Sequence, residues 1–108
     1  MINLQRTDSS NEDFRALIKE LDKDLWGRYK DQQAIYDQHN IIENNQNVIV
    51  AYKDGEAVGC GCFKKFNDGI VEIKRMYVKP QHRGQKIAAA ILQELEKWAK
   101  ELKIQSLF

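Results

Sequence analysis

The sequence predicts an α/β fold, a mixed and mostly antiparallel sheet flanked by helices. Three observations predict it. Residues 70–78, IVEIKRMYV, are rich in β-branched and apolar types and follow the turn signal Asn67-Asp68-Gly69, so they read as a strand. Residues 87–102 carry Ile87, Ile91, Leu95, Trp98 and Leu102 on one stripe, which is helical spacing. Residues 104–108 start another strand, and a helical crossover between two strands implies that they pair in parallel.

The elements before residue 70 follow in order. Residues 2–7 read as a short strand with Ile2 and Leu4 on one face. Ser9 offers an N-cap, with Glu12 three residues later as its capping-box partner. The helix that follows aligns Phe14, Leu17, Ile18, Leu21 and Leu25 toward a core, and Gly27 ends or bends it. Residues 26–46 are the least regular part. Trp26, Tyr29, Tyr36 and His39 stand there among Asp, Gln and Asn, either as a substrate wall or as aromatics of a second helix packed on the core. Residues 48–52 are a buried strand, and Asp54-Gly55 is a two-residue hairpin signal. On the return strand, Val58, Cys60 and Cys62 alternate with Gly59, Gly61 and Phe63. The glycines leave room for a close approach, and a packed aromatic is the ordinary occupant. Strand 70–78 puts Val71 and Ile73 on one face and Glu72 and Lys74 on the other. Arg75-Met76-Tyr77 breaks that alternation, as a bulge would.

Between strand 70–78 and its helix lies a short loop with Pro80, Arg83 and Gly84. A loop opening into a helix is a ready anion site, because the first-turn N–H groups lack helical partners and the dipole adds partial positive charge. Arg83 and Lys86 bring full charges to the same place. The chemistry favoured is a phosphate or pyrophosphate.

Composition narrows the classes. At 108 residues the chain is expected to be one domain. A formal charge of +1 gives no bulk electrostatic reason for nucleic acid or an acidic membrane. No run of about 18 apolar residues is present, and residues 1–6 lack the apolar core of a signal peptide. Cys60 and Cys62 are too close in sequence for a disulfide framework, so a cytoplasmic protein with reduced thiols is expected. A metal held by these two thiols would need further ligands. Neither histidine is nearby in sequence, and no metal is expected.

The segment Arg83-Gly84-Gln85-Lys86-Ile87-Ala88 resembles the R-x-x-G-x-G/A signature of the GNAT superfamily of N-acetyltransferases. Met76-Tyr77-Val78 stand where that family has the end of its preceding strand, and residues 54–59 resemble its second-to-third strand hairpin. The resemblance spans roughly residues 47–108, and more loosely the whole chain. It implies a GNAT-like sheet, one partial acetyltransferase domain over residues 1–108, and acetyl-CoA as co-substrate. It assigns the cofactor to the backbone of Met76, Tyr77 and Val78 and to the loop residues Arg83, Gly84, Gln85, Lys86, Ile87 and Ala88. It places the acceptor, an amine of a small molecule or a protein, against the first helices, where Trp26, Tyr29 and Tyr36 are candidates. Glu72 lies where several family members carry a catalytic glutamate; paired with Lys74 or Arg75 it is instead structural. His82 is a weaker candidate base.

Two departures stand out. Lys86 replaces the family's middle glycine. The chain also stops after the start of the fifth strand, with the C-terminal part of the fold missing. That stop implies an open sheet edge near residues 104–108, which invites pairing with another chain, so a homodimer or a fragment of a longer protein is expected. It also motivates a second functional expectation, a non-catalytic CoA-binding or dimerisation module. A third is a nucleotide-binding module sharing only the loop.

Overall fold

The computed structural model describes residues 2–28, 47–67 and 69–107. Among the described residues, five strands form one sheet in sequence order: β1 (Ile2–Thr7), β2 (Val48–Lys53), β3 (Glu56–Asn67), β4 (Ile70–Val78) and β5 (Ser106–Leu107). The first three pairings are antiparallel and β4–β5 is parallel, as the crossover helix requires. Helix α1 (Glu12–Arg28) follows β1, and α2 (Ile87–Glu101) joins β4 to β5. Neither is long and apolar enough to cross a membrane.

Each helix covers one face of the sheet. Phe14, Leu17 and Ile18 of α1 pack on Val48, Val50, Cys60, Cys62 and Tyr77. Ile87, Ile91, Leu95 and Ala99 of α2 pack on Ile49, Ala51, Phe63, Val71 and Val78. The alternation of β2 and β3 therefore divides its residues between two cores rather than between core and solvent.

Local chemistry modifies the expected pattern in four places. Asn11, not Ser9, caps α1: its Oδ1 accepts the Phe14 N–H at 2.9 Å. Ser9 is buried, and its carbonyl accepts from Arg15 Nε at 2.9 Å. Val58 leaves the Cys60 face. Ala51 pairs with Gly59 and Tyr52 with Ala57, so Val58 is an extra residue, and it joins the α2 core. The space over Gly59 and Gly61 is filled by Ile87, Ile91 and Met76 rather than by an aromatic ring. Leu102 is 51% exposed, because α2 ends at Glu101 and Lys103 turns left-handed at φ 62°; Ala99 takes the buried place instead. The Asp54-Gly55 turn has φ of 52° and 84°, the two positive values of a type I′ hairpin.

A charged clamp ties β1 to α2. Arg6 Nε donates to Glu94 at 2.9 Å, and its two terminal nitrogens donate to the Glu101 carboxylate at 2.7 and 2.8 Å. The guanidinium also lies 5.0 Å from the Trp98 ring centroid. Hydrogen bonding from Arg6 holds the Glu101 carboxyl below its ordinary value of 4.5. A lowered folded-state pKa means that this contribution is complete above the unfolded value and is lost as pH falls through the folded one. Arg6→Ala should therefore lower Tm by a few degrees at neutral pH, and the gap from wild type should narrow as pH falls below the ordinary carboxyl value of 4.5. Thermal scans across pH check this; a gap constant with pH would place the effect in packing on Trp98.

Candidate functional site

The site begins at an irregularity in β4. Cys60 pairs with Tyr77 and Cys62 with Lys74, so Gly61 faces two residues, Arg75 and Met76. Arg75 is the insertion. Its φ of 58° is left-handed, which costs a non-glycine residue about 1–2 kcal/mol. Its Nη1 reaches Asp22 of α1 at 3.4 Å, and its carbonyl accepts the Cys60 thiol at 3.4 Å. The Cys62 thiol bonds the Lys74 carbonyl at 3.3 Å. Burial pushes the Cys60 thiol up to about 12, so it stays protonated and serves as a donor. The insertion restores Met76 and Val78 to the α2 core and Tyr77 to the α1 core. It also interrupts the ladder on the β3 side. On the β5 side only Ile70 and Val71 are paired, so the backbone from Glu72 to Val78 has no strand neighbour there among the described residues.

Beyond Val78 the chain makes a 3-10 turn, Pro80–His82. Arg83 folds back: its Nε donates to the Val78 carbonyl at 2.9 Å, and its guanidinium lies 5.6 Å from the Tyr77 ring centroid. Gly84 takes φ 84°, a backbone state that suits glycine. Lys86 is the N-cap of α2 at φ 63° and has no capping side-chain bond. The first helical bond runs from the Ala90 N–H to the Lys86 carbonyl at 3.1 Å. The N–H groups of the preceding turn are the ones an α-helix leaves without intrahelical partners.

A cavity of about 570 Å³ opens between the bulged strand and this helix start, within the usual range for small-molecule sites. Met76, Tyr77 and Val78 line it from β4, and Arg83, Gly84, Lys86, Ile87 and Ala88 from the loop and α2. Eight of the nine residues expected to hold the cofactor thus border one space. Gln85 does not; its Oε1 accepts from Lys53 Nζ at 2.9 Å. Glu72 lies four residues before Met76, at most about 13 Å along the strand at ~3.3 Å per residue, since the left-handed Arg75 shortens the path. Its carboxylate is 3.3 Å from Lys74 Nζ, the pairing that the structural reading of this residue required. Trp26 belongs to α1, but its side chain, with all of Tyr29, Tyr36 and His39, lies outside the described residues.

Two residues at the site, Leu21 and Lys53, escaped the sequence reading or were assigned another place. Leu21 lines the cavity from α1, although its periodicity marks it only as core. Lys53 is brought to the loop by the β2–β3 hairpin, and nothing local in the sequence signals its contact with Gln85. His82 also lines the cavity; its Nε2 is 3.4 Å from Glu56, and its buried Nδ1 has no partner among the described residues.

The acetyltransferase (GNAT) family matches residues 10–108. The chain belongs to that family. It is 31% identical over 93 residues to an IAA acetyltransferase of Azospirillum brasilense, a match covering 84% of this chain and 61% of that protein. The chain thus spans less than two thirds of that relative's length. A Klebsiella pneumoniae protein assigned as an acyl-CoA N-acyltransferase superposes with TM-score 0.74 at 29% identity, covering 96% of this chain and 67% of the other. The PaiA N-acetyltransferase of Thermoplasma acidophilum, solved in complex with coenzyme A, superposes with TM-score 0.71 at 20% identity, covering 96% and 75%. The bulged strand, basic loop and long helix are therefore a GNAT platform. Within it, the φ of 63° at Lys86 gives a physical reason for the glycine that the signature carries there, since glycine adopts that conformation without strain.

Proposed function

We propose that the chain is an acetyl-CoA-dependent N-acetyltransferase acting on an amine of a small molecule or a protein. The observation that carries this reading is the single cavity shared by the β4 bulge and the α2 N-terminus. The coenzyme A complex of the Thermoplasma protein and the name of the Azospirillum relative support it.

The chain's own residues divide the work. The first-turn N–H groups of α2, with Arg83 and Lys86, hold the pyrophosphate. The backbone of Met76, Tyr77 and Val78 aligns the pantetheine arm along the unpaired stretch of β4. Acetyl-CoA supplies the activated acetyl thioester. A backbone N–H of Met76 or Tyr77 stabilises the charge that develops on the carbonyl oxygen as the amine attacks. Glu72 removes the amine's proton through intervening water, given its distance along the strand. A carbon–nitrogen bond forms, the carbon–sulfur bond breaks, and the thiolate leaves and is protonated. Holding both reactants together supplies much of the acceleration.

Glu72→Gln tests the assigned base. The rate should fall about 100-fold while acetyl-CoA affinity, read by calorimetry, stays within a factor of two or so. Equal loss of rate and affinity would reassign Glu72 to its Lys74 pair.

A further inference from the structure

The cavity-lining stretch Met76-Tyr77-Val78 is bracketed by two cations, and both are tied to α1. Arg75 precedes the stretch and pairs with Asp22 at 3.4 Å. Lys79 follows it and lies 3.9 Å from Glu20. Between those two acids stands Leu21, which forms part of the cavity wall. The Asp22–Arg75 pair is the more shielded of the two, with side chains 21% and 20% exposed, so solvent screens it less than an open surface pair. Asp22 is also a poor helix former in the interior of α1, so its local propensity does not explain its presence.

We infer that Asp22 is a positioning residue: its pair with Arg75 holds the β4 bulge in the shape that presents the Met76 and Tyr77 backbone to the cavity. The inference rests on the acetyltransferase reading for its kinetic part and on the conformation of Arg75 for its structural part. A left-handed arginine is strained, and a strained residue persists where surrounding contacts over-determine it. The Cys60 thiol holds the Arg75 carbonyl, and Asp22 is one of the partners that hold its side chain. Without Asp22, Arg75 relaxes toward extended backbone, and the register of Met76 and Tyr77 against the cavity shifts.

A double-mutant cycle tests this. Asp22→Asn should lower kcat about tenfold, equivalent to ~1.4 kcal/mol of barrier, with a smaller rise in KM for acetyl-CoA, because the anion loop keeps the pyrophosphate while the arm loses part of its alignment. In an Arg75→Gly background the same substitution should change kcat little, because glycine takes the positive φ without a tether. Asp22→Glu should recover part of the loss. Equal losses in both backgrounds would mean that Asp22 merely supports α1, and would overturn the inference. A second readout needs no turnover. In Asp22→Asn the amide resonances of Arg75, Met76 and Tyr77 should move while those of Ile49 and Val50 stay, and in the Arg75→Gly background they should not move. Unmoved bulge resonances overturn the inference whether or not the chain transfers acetyl. A wild-type chain that binds no acetyl-CoA sinks the acetyltransferase reading instead, and the resonances still decide the tether.

Discussion

Gly61→Val destabilises the chain by about 2–3 kcal/mol, at the upper end for overpacking a core, and displaces the β4 bulge. A Cβ at position 61 would run into Met76 Sδ and meet Ile91 Cγ2 at 2.9 Å and Leu95 Cδ1 at 3.4 Å. The methionine can move. Ile91 and Leu95 are fully buried, and retreat by either pushes α2 away from the sheet. Because Gly61 is the residue opposite the Arg75-Met76 insertion, the same displacement reaches the cavity wall. Urea denaturation should show a lower midpoint with an unchanged slope, and thermal unfolding should fall by about 10 °C or more. A variant within about 0.5 kcal/mol of wild type would mean that α2 does not approach β3 this closely.

Arg83→Ala weakens acetyl-CoA binding by about 10- to 100-fold, the loss expected for a hydrogen bond to a charged group of ~1.5–3 kcal/mol. The geometry gives Arg83 two ways to matter. Its Nε bond to the Val78 carbonyl fixes the loop to the end of β4, and the other nitrogens of its guanidinium offer donors to a phosphate. Pantetheine lacking phosphates separates them. If the phosphate contact dominates, its affinity should fall much less than that of acetyl-CoA. Similar losses for both ligands would assign Arg83 to the clamp on Val78 alone.

The bulged strand, the loop and the helix that follows it were legible in the sequence because their signals are local. A β-branched run, a basic Gly-containing loop and an apolar stripe at 3.6-residue spacing sit within some 30 residues, and each reports its own backbone state. The bulge was legible for the same reason, as a break in alternation at Arg75. What it does to the rest of the chain was not. Val58 changes face because one extra residue enters β3 opposite Ala51 and Tyr52, and an inserted residue leaves no composition signal. The α1 cap was ambiguous, since Ser9 and Asn11 are both good capping residues and only the chain's path through the Asp8 turn, where the Ser10 N–H bonds the Asp8 carboxylate, selects Asn11. Leu102 fits the stripe arithmetically, but the helix ends before it. Contacts such as Lys53–Gln85, Asp22–Arg75 and Arg6–Glu101 join residues far apart in sequence, and pattern reading has no access to them. Glu72 shows a different limit. The family resemblance marks its position, while the structure gives it a lysine partner and a place well up the strand from the cavity.

The proposed function requires that the bulged strand and the α2 N-terminus together form an acetyl-CoA site. Calorimetric titration of acetyl-CoA into the chain, with ATP as control, tests it most directly. Saturable binding of acetyl-CoA with no comparable binding of ATP is the expected result, because ATP carries phosphates for the loop but no arm to lie along Met76-Tyr77-Val78. No binding of acetyl-CoA, or equal binding of both ligands, would contradict it.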